Sequence, residues 1–412
     1  MLDIVSILFV FAFGACVGSF LNVVVWRMPR GESLSDPPSH CPKCNAKLKR
    51  YDNIPVFGWI KLRGRCRYCK EPISIRYPIV EAVTGSLFVF YYVMFFLTQT
   101  GPCVPHGTEG GQRMLTILQD WPIYTLYMVT LSALLAASLI DAELFIIPME
   151  ICYFMAIVGV VVHTILDTPS TPGGLIPSPV SGAMAVGGGL GLLLSFILLK
   201  TKKLPMSFPN GEVLEVDREI IQQEIDDAKA RGETPPDMPP LLNRAQVRGE
   251  IGKEMLFLLP PMLGAFGAAI AVIKIAPLGQ AWEQAMSYSP VGGFCGSLLG
   301  ALVGGFVVWI VRILGSLGFG RVAMGLGDVH LMFGVGAVLG AGGSTVAFFL
   351  APFFGILYAL YRWLSGQGRE VPYGPFLGMA AAFVMLFYCP IADYLSPGLQ
   401  GLMIILSGQA GQ

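Results

Sequence analysis

Two aspartates at the edges of apolar segments are the residues best suited to catalysis. Asp141 directly follows the apolar residues 131–140, and Asp328 directly precedes an apolar stretch that begins at Val329. Ionisable residues at membrane depth are rare and mark functional sites by default. Although 186 residues separate the two aspartates, we expect both of them at the same membrane boundary.

Two facing carboxylates predict peptide hydrolysis by acid–base chemistry, without a metal or a covalent intermediate. Like charges a few ångströms apart do not both ionise readily, so the pair shares a proton. The ionised member takes a proton from water while the other protonates the scissile carbonyl oxygen. Gly325 and Gly327, in Gly-Leu-Gly-Asp328, would let a substrate backbone approach closely. The alternative is that each aspartate caps a helix or points into interfacial water, since Asp328 stands where an N-cap is expected.

Four of the nine cysteines form two Cys-x-x-Cys pairs, Cys41 with Cys44 and Cys66 with Cys69. This two-knuckle spacing is typical of a tetrahedral, structural zinc site, and free thiols are the alternative. With four thiols available, we expect His40 to be a neighbour of the metal and not a ligand. The scattered cysteines are interpreted as small apolar residues; they are Cys16, Cys103, Cys152, Cys295 and Cys389.

Composition predicts that these residues are positioned by membrane helices. Of 412 residues, 54% are hydrophobic and 13% are charged, against about one quarter charged in a soluble domain. Apolar runs of about 20 residues recur, which is long enough to cross a bilayer. The zero net charge excludes a global basic field for nucleic acid. We therefore expect an all-α polytopic membrane protein whose partner is the lipid bilayer.

The fold class is predicted in more detail as about 8–10 transmembrane helices with a small cytoplasmic zinc-binding loop domain. The uncertainty in number lies in residues 329–365, where Gly340, Gly342 and Gly343 form either a turn or a kink. The apolar segments are 3–26, 78–98, 121–140, 146–166, 179–200, 255–274, 291–315, 329–345, 346–365 and 372–392.

The basic residues predict the orientation of the chain. Twelve of the 27 lysines and arginines lie within residues 27–76, and cytoplasmic loops carry such an excess. Alternation then places 99–120, 167–178 and 275–290 outside. The predicted parts are a first transmembrane helix (1–26), the cytoplasmic zinc-binding loop domain (27–77), transmembrane helices with Asp141 (78–200), a cytoplasmic insertion (201–254) and transmembrane helices with Asp328 (255–412).

Glycines spaced four apart predict close helix contacts, because small residues let backbones approach in lipid. Gly14 and Gly18 form one such pair, and Gly296, Gly300 and Gly304 form a longer stripe. The run 187–189 is also interpreted as packing and not as a nucleotide loop, since no lysine or strand pattern adjoins it.

The sequence resembles the type IV prepilin peptidase family of Gly-x-Gly-Asp membrane aspartyl proteases. The resemblance covers about residues 14–100, 125–165 and 291–392. It rests on the blocks Gly18-Ser-Phe-Leu-Asn22, Trp26-Arg-Met-Pro29, Pro38-Ser-His-Cys-Pro-Lys-Cys44, Arg76-Tyr-Pro-Ile-Val-Glu81 and Pro372-Tyr-Gly-Pro-Phe-Leu377. The chain departs from the family in having His330, where lysine is usual, and residues 179–274, which form an apparent additional helical pair around the insertion.

The resemblance implies an activity: removal of the basic leader from prepilins or secretion pseudopilins at the cytoplasmic face of the bacterial inner membrane, with Asp141 and Asp328 as the catalytic residues. It also implies N-methylation of the new N-terminus with S-adenosylmethionine. We find no separate methyl-donor motif, and Glu81 is only a weak candidate, because it can also pair with nearby arginines.

Two other classes of function are open to this sequence. One is a zinc-loop methyltransferase or assembly scaffold without protease activity, which would depend on the four paired cysteines and not on the aspartates. The other is a membrane transporter with a carboxylate pair, since transporters also carry membrane carboxylates and glycine-rich helices. No pattern in the sequence predicts an oligomeric state.

Overall fold

The structure is a computed structural model, and it describes residues 2–41, 43–101, 114–166, 171–174, 178–208, 222, 225–226, 243–365 and 372–406. The described residues form α-helices and no strand. The helices are α1 (Leu2–Arg27), α2 (Phe57–Lys61), α3 (Arg76–Tyr92), α4 (Ile117–Leu144), α5 (Met149–Ile165), α6 (Pro179–Lys200), α7 (Arg244–Lys274), α8 (Ala276–Met286), α9 (Ser289–Phe319), α10 (Leu326–Leu364) and α11 (Gly374–Leu406).

The length of the apolar helices confirms a membrane protein with several spans. Within the described residues, eight helices are long and apolar enough to cross a bilayer, namely α1, α3, α4, α6, α7, α9, α10 and α11. Helix α3 reaches a spanning length because a π-helical turn, Val93–Leu97, extends it to 22 residues, whereas α5 is apolar but has only 17 residues. The predicted all-α, multi-span fold class is therefore correct.

The chain divides into two compact units, and the first comprises residues 1–140 and 382–412. In this unit α1 packs along α3 through small residues. A Cβ added at Gly14 would lie 2.9 Å from the Cα of Gly85, and one added at Gly18 would lie 2.7 Å from the Cα of Glu81. The predicted close approach at Gly14 and Gly18 is confirmed.

The scattered cysteines do not all behave as apolar residues. Cys152 and Cys295 are buried free thiols, and Cys16 is an exposed one. Cys389, however, is disulfide-bonded, so the interpretation of this residue as a small apolar filler is wrong. Cys103 lies outside the described residues.

The second unit comprises residues 141–381, and α9 packs there against α5, α6, α7 and α10. Glycines permit this packing: a Cβ at Gly296 would lie 2.7 Å from the carbonyl oxygen of Gly174, and side chains at Gly300 or Gly304 would overlap backbone oxygens of α10. Gly187 meets Gly264 of α7 in the same way. The packing interpretation of these glycines is confirmed.

Helix α10 is interrupted at Gly340, whose φ of 70° and ψ of 178° are not helical. A side chain at this position would overlap the carbonyl oxygen of Pro172. The predicted break in residues 329–365 therefore exists as a kink at the first of the three candidate glycines.

Two helix boundaries differ from the prediction. Helix α7 begins at Arg244, eleven residues before the expected span, because Asn243 and Gln246 form a capping box and the polar first turns hide the helix from a hydropathy pattern. The expected insertion 201–254 thus ends in helix, and residues 209–242 lie almost wholly outside the described residues. Within the expected outer loop 275–290, residues Ala276–Met286 form the short helix α8.

Candidate active site and metal centre

Asp141 lies in the last turn of α4, which continues to Leu144. Its side chain is buried, with 6% of the residue exposed. The Oδ2 atom accepts a 2.9 Å hydrogen bond from the backbone N–H of Gly374. A buried carboxylate needs such a donor, because an uncompensated charge is costly to desolvate. The bond fixes Asp141 against the first residue of α11.

Asp328 lies in the first turn of α10, since this helix begins at Leu326. The alternative in which Asp328 is the N-cap residue of this helix is therefore wrong, because the helix starts two residues earlier. The residue is 8% exposed.

Tyr373 and Gly374 lie at the start of α11, in the second unit. Gly374 is adjacent to Asp141, and Tyr373 is near Asp328. The amide of Gly374 binds Asp141. Burial raises the pKa of the Tyr373 phenol, and the negative charge of Asp328 raises this pKa further. Gly374 therefore contacts Asp141, and the neighbouring Tyr373 lies near enough to Asp328 for that charge to affect the phenol.

The side chain of Ile147 lies between the same elements. A Cβ at Gly374 would lie 3.2 Å from Cδ1 of Ile147, and a Cβ at Gly327 would lie 3.1 Å from its Cβ. Ile147 follows Asp141 by six residues, and Gly327 precedes Asp328. The structure thus brings the neighbourhoods of both predicted catalytic residues together around one side chain.

The two glycines of the Gly-x-Gly-Asp sequence have different surroundings. A Cβ at Gly325 would lie 3.6 Å from Oδ2 of Asp328, and the next described atom is the Gly327 nitrogen at 3.9 Å. Gly325 therefore leaves space directly beside the carboxylate. Gly327 instead permits close packing with Ile147.

His330 uses one ring nitrogen within its own helix. Its Nδ1 lies 2.8 Å from the carbonyl oxygen of Leu326, and its ring meets Tyr153 edge to face at 5.7 Å between centroids. With Leu326 and Val329 it lines an apolar cavity of about 510 Å³ between α5, α6, α7, α9 and α10. An apolar site thus adjoins the first turns of the helix that carries Asp328.

The four paired cysteines come together in the first unit. Their Sγ atoms all lie within 4.8 Å of one another, with Cys41 3.7 Å from Cys69 and Cys44 4.0 Å from Cys66. Zinc–sulfur bonds of about 2.3 Å in a tetrahedron place sulfurs about 3.8 Å apart, whereas a disulfide needs about 2.05 Å. The donor set therefore fits a metal ion bound by four thiolates.

The two knuckles are built alike. Cys41 donates its backbone N–H to the oxygen of Ala46, and Cys66 donates to Glu71. In each knuckle the residue after the second cysteine has a positive φ, 54° at Asn45 and 63° at Lys70. This repeated turn directs both thiols of a knuckle to the same point.

Backbone N–H groups and an ion pair support the cluster of four thiols. Hydrogen bonds from the backbone of Cys69 and Tyr68 lower the pKa of the Cys66 thiol to about 6, which favours the thiolate that binds metals. The guanidinium of Arg67 binds Asp52, with Nε 2.7 Å from Oδ2, and lowers the pKa of that carboxyl group. His40 lies 3.1 Å from the oxygen of Pro38 and is not one of the clustered ligands.

Glu81, the weak candidate for methyl-donor binding, accepts a 2.6 Å hydrogen bond from the backbone N–H of Val56. Val56 has a φ of 62°, which is an outlier for a β-branched residue. Glu81 therefore holds a strained turn of the cysteine loop against α3.

Sequence reasoning missed Ile147 and the roles of Tyr373 and Gly374. The only available signal for the latter two was the Pro-Tyr-Gly-Pro block that begins at Pro372. This block predicts a turn, but it does not predict which side chain accepts a hydrogen bond from the Gly374 amide. Asp141 and Asp328, by contrast, are candidates because of their types and positions in the sequence.

Comparisons with known proteins assign the chain to a family. The sequence profile of the Bacterial Peptidase A24 N-terminal domain matches residues 12–95. A Neisseria gonorrhoeae protein named prepilin leader peptidase/N-methyltransferase is 31% identical over 226 residues, which covers 48% of this chain and 68% of the relative. The chain belongs to the prepilin leader peptidase/N-methyltransferase family.

Other relatives of this family match different lengths of the chain. A Myxococcus xanthus prepilin leader peptidase/N-methyltransferase is 55% identical over 80 residues, covering 19% of this chain and 24% of the relative. An Escherichia coli "type 4 prepilin-like proteins leader peptide-processing enzyme" is 29% identical over 229 residues, covering 48% of this chain and 77% of the relative. The chain thus spans from about a quarter to about three quarters of these curated relatives. No solved structure matches.

Proposed function

We propose that this chain is a membrane aspartyl endopeptidase that removes the leader of type IV prepilins or pseudopilins, with Asp141 and Asp328 as its catalytic pair. One observation carries the proposal. Asp141 accepts a hydrogen bond from the amide of Gly374, and the side chain of Ile147 lies beside both Gly374 and Gly327, the residue before Asp328. The names of the family members support the same reaction.

The reaction needs one proton shared between two carboxyl groups. The ionised group takes a proton from water, whose oxygen attacks the scissile carbonyl carbon, while the protonated group gives its proton to the carbonyl oxygen. Collapse of the tetrahedral intermediate breaks the C–N bond, and the amine leaves with a proton from the pair. The two residues titrate as a unit, so the proton belongs to the pair and not to one residue.

The proposed substrate and placement follow from charge. A prepilin carries a basic leader next to an apolar helix, so the junction lies at a membrane boundary. The excess of lysine and arginine in residues 27–76 favours a cytoplasmic location for this loop. By alternation of the spans, we place the aspartates at the cytoplasmic face of the bacterial inner membrane.

The proposal includes a second activity, N-methylation of the newly exposed N-terminus with S-adenosylmethionine. It rests on the names of the relatives, which pair the two activities. The free α-amine left by leader removal is the nucleophile that this transfer needs.

The metal in the proposal is zinc, held by Cys41, Cys44, Cys66 and Cys69. Zinc bound by these residues would supply structure and not catalysis, because the four thiolates would fill all four of its ligand positions. The four thiolates fix both knuckles of a loop that has little apolar core.

The experiment is incubation of the purified protein with a prepilin, followed by mass spectrometry. Wild type should release the leader and, with S-adenosylmethionine, add one methyl group. Asp141→Ala and Asp328→Ala should leave the leader in place, whereas Glu143→Ala, an exposed carboxylate on the same helix as Asp141, should cleave normally. Processing at the wild-type rate by either aspartate variant would remove the assignment.

The relatives' names do not favour the two other classes of function. A scaffold or methyltransferase alone would lose activity with the cysteines and keep it without the aspartates. A transporter would move a solute across vesicles and leave the prepilin intact.

A further inference from the structure

We propose that Arg312 of α9 and Glu254 of α7 are positioning residues that hold the segment leading into Asp328. The inference rests on the proposed catalytic role of Asp328. It also gives a role to α6 and α7, the helical pair that the family resemblance does not account for.

Arg312 joins a carboxylate and a backbone carbonyl. The residue is fully buried, and Nε and Nη2 lie 3.0 Å and 2.7 Å from Oε2 and Oε1 of Glu254. Its Nη1 donates to the carbonyl oxygen of Met324, which directly precedes Gly325. Because a guanidinium presents its donors in a rigid planar fork, it can hold both acceptors at once.

A second side chain of α9 binds Ala323, the residue before Met324. Ser316, one turn after Arg312, is fully buried, and its Oγ accepts a 3.0 Å hydrogen bond from the N–H of Ala323. Helix α9 ends at Phe319 and is capped by Gly320, which has a φ of 69°. The segment between the end of α9 and Asp328 is thus bound at two consecutive residues.

Glu254 is itself fixed. Its Oε2 accepts from Nε1 of Trp309 at 2.7 Å, and only 2% of the residue is exposed. Helix α7 packs mainly on α6, and the apolar cavity of about 510 Å³ lies between these two helices and α9 and α10. The bonds from Glu254 to Arg312 and Trp309 are therefore a specific polar link across the edge of this cavity.

The start of the insertion covers the pair. Phe208 lies over the guanidinium of Arg312, 5.4 Å from it to the ring centroid, and donates its N–H to Glu250 of α7 at 2.7 Å. Phe208 also packs with apolar residues of α7 and α9; these are Val247, Ile251, Leu258 and Ile313.

A stabilising role alone does not explain this arrangement. Buried ion pairs are often no more stabilising than apolar side chains of similar volume. An apolar pair would fill the space, but it could not donate to the Met324 carbonyl. The charges therefore serve the geometry of the segment that carries Asp328.

The test is the double variant Glu254→Leu/Arg312→Met in the full chain, because it leaves no unpaired buried charge. We expect melting temperature and KM for a prepilin to stay near wild type, while kcat falls about 10- to 100-fold through misplacement of Asp328. Arg312→Lys, which keeps a positive charge opposite Glu254 without the fork, should show a smaller loss of kcat. Lys253→Gln removes a half-buried cation next to Glu254. This control should match wild type in melting temperature, KM and kcat.

Amide hydrogen exchange provides a readout that needs no substrate. In the double variant, peptides covering residues 320–328 should exchange at least about tenfold faster than in wild type, since an ordered segment has lost a fixed contact. Unchanged exchange, or wild-type kcat in the double variant, would overturn the inference. Failure of wild type to cleave a prepilin would instead count against the proposed function. The hydrogen-exchange result would still test whether Arg312 and Glu254 hold the segment before Asp328.

Discussion

The carboxylate of Asp141 accepts a hydrogen bond from the backbone amide of Gly374, 233 positions later in the chain. This bond ties the end of α4 to the start of α11 within the second unit. It occupies Oδ2, so Oδ1 is the oxygen better placed to carry a proton in the proposed catalytic pair. The geometry of Asp141 therefore depends on a residue with no side chain of its own.

Replacement of Gly374 by alanine should disturb Asp141 directly. The added Cβ would lie 2.7 Å from Oδ2 of Asp141 and 3.2 Å from Ile147, so the carboxylate must move. We expect kcat for prepilin cleavage to fall about 100-fold with little change in melting temperature. Gly355→Ala, whose Cβ would be 3.5 Å from the Phe376 ring, is the matched control. Equal kcat values for the two variants would contradict this role of Gly374.

The two glycines before Asp328 should differ in their response to alanine. At Gly325 the new methyl group would enter the space beside the Asp328 carboxylate, so substrate should be hindered in a normally folded protein. At Gly327 it would press on Ile147 at 3.1 Å, and we expect a loss of stability of about 1 kcal/mol. Cleavage kinetics and thermal unfolding of both variants in one detergent separate these effects. The reverse assignment of the two effects would refute this interpretation.

Glu81 variants distinguish a structural role from methyl-donor binding. Glu81→Ala removes the acceptor for the Val56 amide, and the loss should be about 2 kcal/mol of stability. Glu81→Gln keeps an acceptor oxygen at that position, so both stability and methylation should stay near wild type. If Glu81→Gln abolished methylation and left the melting temperature unchanged, Glu81 would instead contact the methyl donor.

Removal of the metal should unfold the cysteine loop. We expect one zinc ion per chain by elemental analysis, and Cys66→Ser should lower metal affinity about 100-fold or more. The same variant should melt earlier, because metal binding and folding of such loops are coupled. Cys16→Ser changes an exposed free thiol of the first unit and should keep full metal content. Full zinc content in Cys66→Ser would show that the four thiols do not form the site.

Much of the fold was predictable because lipid imposes strong rules on sequence. Apolar runs must be long enough to span, and glycines such as Gly300 must face a neighbouring backbone when helices touch. The failures have the same physical origin. The start of α7 at Arg244 was missed because its first turns are polar, and α8 was missed because its eleven residues cannot cross a bilayer.

The residues of the candidate site were predictable by type, and their partners were not. A carboxylate at the edge of a span is unusual enough to single out Asp141 and Asp328. The hydrogen bond from Gly374 and the packing of Ile147 join parts of the chain whose meeting depends on tertiary structure. Arg312 and Glu254 are 58 residues apart and show no local pattern, so only the structure reveals that they meet.

The central claim is that Asp141 and Asp328 act as one catalytic unit. Single-turnover cleavage of a prepilin by Asp141→Asn, Asp328→Asn and the double variant tests it most directly. We predict that each single variant loses about 10³-fold or more in rate and that the double variant is no slower than either, because residues that act as a unit are not additive. Losses that multiply in the double variant, or a single variant that cleaves at the wild-type rate, would contradict the claim.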